Sequence, residues 1–170
     1  MSGDGASLLI ISGYNFDEDD QTLPSIQSLT TGGPKKEVPY PSHSRLGAAV
    51  TLGNGAVVVT GGRGSEKQVW MTPQAASATW KQRKDMLEGR KGHATAAVKV
   101  GGVEVVVVAG GWDCNGQELD SVHMYNPDLD KWAKLPSMLA PRVDFALQVH
   151  KQSTMRSNIV THQELRCPKT

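Results

Sequence analysis

The chain has 170 residues, enough for one domain or one short repeat array, with 18 lysines and arginines against 17 aspartates and glutamates. The net charge of +1 offers no general attraction to nucleic acid or to an anionic membrane, which both reward clustered basic charge, so neither partner is expected. The longest apolar run, 105–109, is far too short to span a bilayer, no secretory leader pattern opens the chain, and Cys114 and Cys167 are isolated. A cytoplasmic setting without a disulfide framework is therefore expected.

The first predicted element is the apolar run Leu8-Leu9-Ile10-Ile11, closed by Ser12-Gly13, with Tyr14 directly after it. The acidic stretch Asp17-Glu18-Asp19-Asp20 lacks the alternating ligands, central glycine and distal glutamate of a calcium loop, and it reads as a solvated loop that could contact a basic partner. Arg45 then precedes a small-residue strand, Ala48-Ala49-Val50. A turn at Gly53-Asn54-Gly55 leads into Val57-Val58-Val59-Thr60-Gly61-Gly62, followed by Arg63. The segment from Gly61 to Lys67 has neither the spacing nor the following helix of a phosphate-binding loop. Trp80, Met86 and Arg90 come next, and then a second small-residue strand, Ala94-Thr95-Ala96-Ala97-Val98. A Gly101-Gly102 turn precedes Val105-Val106-Val107-Val108-Ala109-Gly110-Gly111, with Trp112 after it. Beyond the turn at Asn126-Pro127-Asp128 stand Trp132, Met138 and Arg142, and Phe145-Ala146-Leu147-Gln148-Val149 reads as a third small-residue strand.

Two sets of markers repeat. The glycines that close the apolar runs lie at 13, 62 and 111, both intervals being 49 residues, and Trp80, Met86 and Arg90 recur as Trp132, Met138 and Arg142, all shifted by 52. Valine and isoleucine favour the pleated backbone, and four or five in a row imply strands buried on both faces. Each unit of about fifty residues is thus expected to form a meander of four short strands. The units are a partial one lacking its first strand (1–43), two whole ones (44–89 and 90–141), the first strand of a further unit (142–151) and a tail without the repeat (152–170).

The most complete unit, with Arg90-Lys91-Gly92-His93-Ala94, the run ending in Gly110-Gly111, Tyr125-Asn126-Pro127, Trp132 and Leu135-Pro136-Ser137-Met138, resembles the kelch motif. The resemblance implies an all-β fold of kelch-type β-propeller blades, four-stranded antiparallel meanders in an incomplete ring, with loops that bind protein. On that basis Gly13, Gly61, Gly62, Gly110 and Gly111, with Trp80, Trp132 and Arg90, are structural. Tyr14, Arg45, Arg63, Trp112 and Arg142 are candidate contacts at one mouth of the ring, facing another protein that carries an acidic peptide segment. The function implied is a protein-interaction module, such as the substrate-recognition part of a ubiquitin-ligase adaptor or an actin-associated scaffold. The alternatives are an enzyme on the same scaffold, galactose-oxidase-like or a sugar epimerase, and a truncated product without independent function. The five histidines show no metal-ligand spacing and no nucleophile motif is present, so no cofactor, metal or catalytic residue is expected. His93, at a recurrent motif position, is expected to pack and hydrogen-bond. Rings close with about 4–8 blades. The array is therefore expected either to be part of a longer propeller or to self-associate through its open sheet edges.

Overall fold

The computed structural model describes residues 45–73 and 79–150 with their side chains, together with the backbone of three strands, β1 (Ser7–Ile11), β2 (Ser25–Thr30) and β3 (Lys36–Pro39). Gly13, Tyr14, the acidic stretch 17–20 and the tail 152–170 lie outside the described residues. The remaining strands are β4 (Ala48–Thr51), β5 (Val57–Thr60), β6 (Val69–Thr72), β7 (Lys81–Gln82), β8 (Ala94–Val100), β9 (Val103–Ala109), β10 (Val122–Asn126) and β11 (Lys131–Leu135). They form three antiparallel sheets in which each strand pairs with its neighbour in sequence: β1-β2-β3, β4-β5-β6-β7 and β8-β9-β10-β11. The fold is all-β, an open kelch-type propeller.

The valine runs become the second strands of the two complete sheets, and their burial explains why they carry no polar interruption. In β5, Val57, Val58 and Val59 are all buried, as are Val106 and Val108 in β9. Fully burying one such side chain is worth about 1.5–3 kcal/mol. Alternate residues of each run face opposite ways. Val58, with Leu52, Ala56, Val69 and Met86 of the second sheet, meets Val106, Val108 and Tyr125 of the third, whereas Val107, Ala109 and Val122 form a separate cluster. The two four-stranded sheets therefore pack face to face, with the first strands β4 and β8 side by side.

The turns follow the glycine signals. Gly101 and Gly102, with φ of 57° and 83°, join Val100 to Val103 in a two-residue hairpin, the geometry that positive φ at both central positions provides. The double glycines work differently. Gly61 and Gly110 keep their sheets in register by donating to Gln68 and Ser121 O, at 2.9 and 3.1 Å. Gly62 and Gly111 donate outwards, to Arg90 and Arg142 O, at 2.9 and 2.8 Å. A Cβ on Gly61 would collide with the Arg90 carbonyl, and one on Gly110 with that of Arg142, so both positions need glycine for space as well as for φ.

One expected strand is absent. Residues 145–149 form no ladder, although Phe145 and Leu147 pack against the Val107, Ala109 and Val122 cluster. A strand is defined by backbone hydrogen bonds to a neighbour, and no described strand lies beside this segment.

Candidate interaction surface at the loop end

The connections after β5 and β9, and the segments that lead into β4, β8 and 145–149, all lie at one end of the sheets, because each strand reverses the direction of the one before. At this end Arg45 is bridged to Arg63, whose N–H donates to Arg45 O at 2.6 Å. In the next sheet Lys91 is bridged to Trp112 through two backbone hydrogen bonds, of 3.0 and 2.8 Å. The two bridges are equivalent, so Arg45 corresponds to Lys91 and Arg63 to Trp112. Lys91, which this bridge places at the same end, was not among the candidates read from the sequence. The signal was available in the distance to the strand that follows, three residues from Arg45 to Ala48 and three from Lys91 to Ala94.

Arg63 is exposed, while Arg45, Lys91 and Trp112 are half-buried. Glu66 sits between the two bridges. Its carboxyl is held below the ordinary range, chiefly by backbone N–H groups including that of Gly64 at 3.1 Å, and further by the charges of Lys91 and Arg63. Asp113 shapes the loop after Trp112 by accepting from the Asn115 and Gln117 N–H groups, at 2.9 and 2.7 Å.

Arg90 has a different task. Its backbone is docked on the second sheet and its side chain enters the third, fully buried. The guanidinium donates to Gly110 O at 2.8 Å, Ser121 Oγ at 3.0 Å, Glu88 Oε2 at 3.2 Å and His123 Nδ1 at 3.2 Å. Arginine only donates, so Nδ1 of His123 accepts and the proton resides on Nε2. Burial lowers the affinity of Arg90 for its proton, opposed by Glu88. Arg90 is thus a clasp between sheets. Beside it His93 is buried, hydrogen-bonded through Nε2 to Thr60 Oγ1 of the second sheet at 2.8 Å, and burial, aided by Arg90, depresses its pKa to about 3. The imidazole is neutral at physiological pH.

Arg142 occupies the place in the repeat that Arg90 holds: Arg142 O accepts from Gly111 as Arg90 O does from Gly62. Its side chain, however, is exposed. Of the tryptophans, Trp132 spans the sheet junction, stacking on Tyr125 with ring centroids 4.9 Å apart and donating from Nε1 to Lys84 O at 2.9 Å. Trp80 is half-buried just before β7. Tyr125 in turn is gripped by Arg83 and donates to Asp130 Oδ1 at 2.6 Å. Burial, with the Asp130 contact, pushes its pKa up to about 12.

An open cleft of about 440 Å³ lies at the same end, outside the Arg90 clasp, lined among others by Lys67, Cys114, His123 and Lys134. Sequence patterning gave no hint of it, because His123 falls where the second sheet has Trp70. Among the described residues no three of His, Cys, Asp or Glu gather as a metal-ligand set, and no helix is long and apolar enough to cross a membrane.

Comparisons with known proteins agree with this architecture. The family model of the Kelch motif matches residues 104–139. Beta-scruin and alpha-scruin of Limulus polyphemus are 37% and 35% identical to the chain over 68 residues, which is 40% of this chain but 7% of each scruin. The solved structure of YjhT superposes with a TM-score of 0.54 at 22% identity, covering 65% of this chain and 32% of YjhT. The chain thus spans a small part of these relatives. The motif match at 104–139, the scruin likeness and the four-stranded meanders with their double-glycine turns support a kelch-repeat protein.

Proposed function

We propose that the chain recognises an acidic segment of another protein through its loop end. That the chain is a protein-interaction module in general is supported by the kelch motif and the scruin likeness. The finer reading rests on one observation. Two equivalent bridges, Arg45 with Arg63 and Lys91 with Trp112, present three cations and an indole from the same end of adjacent sheets. Arginine and tryptophan are the side chains that most often dominate binding hot spots, and guanidinium groups match carboxylates two bonds at a time. Glu66 offsets only part of this charge and is itself engaged by the Gly64 N–H. Within this proposal the setting is cytoplasmic, and a ubiquitin-ligase adaptor or an actin-associated scaffold is the assembly in which such a module would serve.

The test is fluorescence anisotropy with a labelled aspartate- and glutamate-rich peptide beside a neutral peptide of the same length. Arg45→Ala with Arg63→Ala is expected to weaken binding of the acidic peptide at least about tenfold, the effect of losing about 1.4 kcal/mol. Added salt is expected to weaken wild-type binding. Equal binding of the two peptides by wild type, or an unchanged affinity in the double variant, would overturn the proposal.

A further inference from the structure

We propose that the cleft outside the Arg90 clasp binds a small molecule carrying a phosphate monoester, received by the Nε2–H of His123 and the ammonium groups of Lys134 and Lys67. Its volume of about 440 Å³ lies within the range of about 300–1,000 Å³ usual for small-ligand sites.

The clasp itself fixes the first donor. His123 is only 3% exposed, yet it lines the cleft. Its Nδ1 accepts from Arg90 at 3.2 Å, which leaves the proton on Nε2. Burial above all, then the charges of Arg90 and Lys134, lowers the His123 pKa against the pull of Glu88, so the ring is neutral at physiological pH. Among the described residues Nε2 has no hydrogen-bond partner. A donor in so buried a ring is unfavourable without an acceptor, and a ligand oxygen supplies one.

The cations come from both sheets. Lys134 pairs with His123 across β10 and β11, so the two side chains rise from one face of the third sheet, the face on which Tyr125 packs into the junction. Lys67 stands just before β6, and its stem lies against Gly89, where a Cβ would meet Lys67 Cγ at 3.3 Å. Both lysines are exposed, and among the described residues neither forms a salt bridge. The two carboxylates of the lining are already engaged. Glu88 accepts from Arg90 and Ser121 Oγ, and Asp113 from the N–H groups of Asn115 and Gln117. What the cleft offers is therefore mainly donors. Three of them suit a phosphate group, with a charge of about −1.5 to −2 and three acceptor oxygens, better than a planar carboxylate with two. The cleft shares no residue with the surface of Arg45, Arg63, Lys91 and Trp112, so phosphate binding does not depend on acidic-peptide binding.

Nuclear magnetic resonance of the histidine ring nitrogens tests this. Inorganic phosphate and O-phosphoserine are each expected to shift the His123 Nε2 signal, saturating at millimolar concentration or below. Lys67→Ala with Lys134→Ala is expected to weaken that binding at least about tenfold. Lys99→Ala with Lys131→Ala removes the same charge from exposed positions at the far end of the third sheet and is expected to leave it unchanged. Malonate, a dicarboxylate of similar charge, is expected to bind at least about tenfold more weakly than phosphate. The proposal is wrong if the His123 signal shows no saturable shift, if the two double variants lose binding equally, or if malonate binds as tightly as phosphate.

Discussion

The junction between the second and third sheets and the far face of the third sheet use the same motif positions to opposite ends. At the junction Arg90, His93 and Met86 are buried, and the arginine has four hydrogen-bond partners, three of them on the third sheet. At the far face Arg142 is exposed while Phe145 and Met138 lie against the Val107 cluster. Backbone contacts are alike in both places. What differs, among the described residues, is that a following sheet receives the Arg90 side chain and none receives that of Arg142.

The largest effect expected from breaking this comparison is at the arginines. Arg90→Met removes the guanidinium donor from the Gly110 and Ser121 carbonyls and should cost about 3–5 kcal/mol. Arg142→Met should stay within about 0.5 kcal/mol. Urea unfolding measures both, and equal costs would refute the distinction. The glycines sharpen it next. Gly101 and Gly61 have nearly the same φ, 57° and 56°, but a Cβ on Gly101 meets open space and one on Gly61 meets the Arg90 carbonyl. Gly101→Ala should cost about 1–2 kcal/mol for the backbone alone, and Gly61→Ala roughly 1–3 kcal/mol more for the collision.

Acid sensitivity tests the same junction by pH instead of by packing. In the unfolded chain His93 titrates near 6.5, and in the fold near 3. Between these values the folded state binds fewer protons, so the stabilisation is complete above about pH 6.5 and is lost as the pH falls towards 3. The loss is about 1.4 kcal/mol per pH unit. His123, whose pKa is also lowered by burial, acts in the same direction. His93→Phe installs the side chain that the repeat carries at Phe145 and should flatten the dependence of the urea midpoint on pH between 7 and 5. An unchanged slope would mean that His93 is not the responsible group.

The strands, the turns and the open array were legible in the sequence because each depends on local chemistry: valine runs bury both faces, and paired glycines supply backbone angles that other residues resist. The sheet junction was less so. That Arg90 clasps the third sheet depends on Ser121, thirty-one residues away, a pairing that periodicity does not encode. The equivalence of Arg45 and Lys91 does not show in residue type, because backbone bridging ignores the side chain and the two share only their distance from the strand that follows. The absence of a ladder at 145–149 could not be read from its residues, which suit a strand, because a ladder needs a second party.

The outward donation from Gly62 to the Arg90 carbonyl, repeated from Gly111 to Arg142, also bears on how the chain folds as it is synthesised. The loop of each sheet is completed by an acceptor that leaves the ribosome some thirty residues later, after the sheet's own last strand. A sheet newly emerged is consequently unfinished until its successor begins to appear, and order spreads along the chain in the direction of translation. A stall that leaves the chain emerged only as far as residues 82–90 would hold the second sheet with all its strands present and its loop still open.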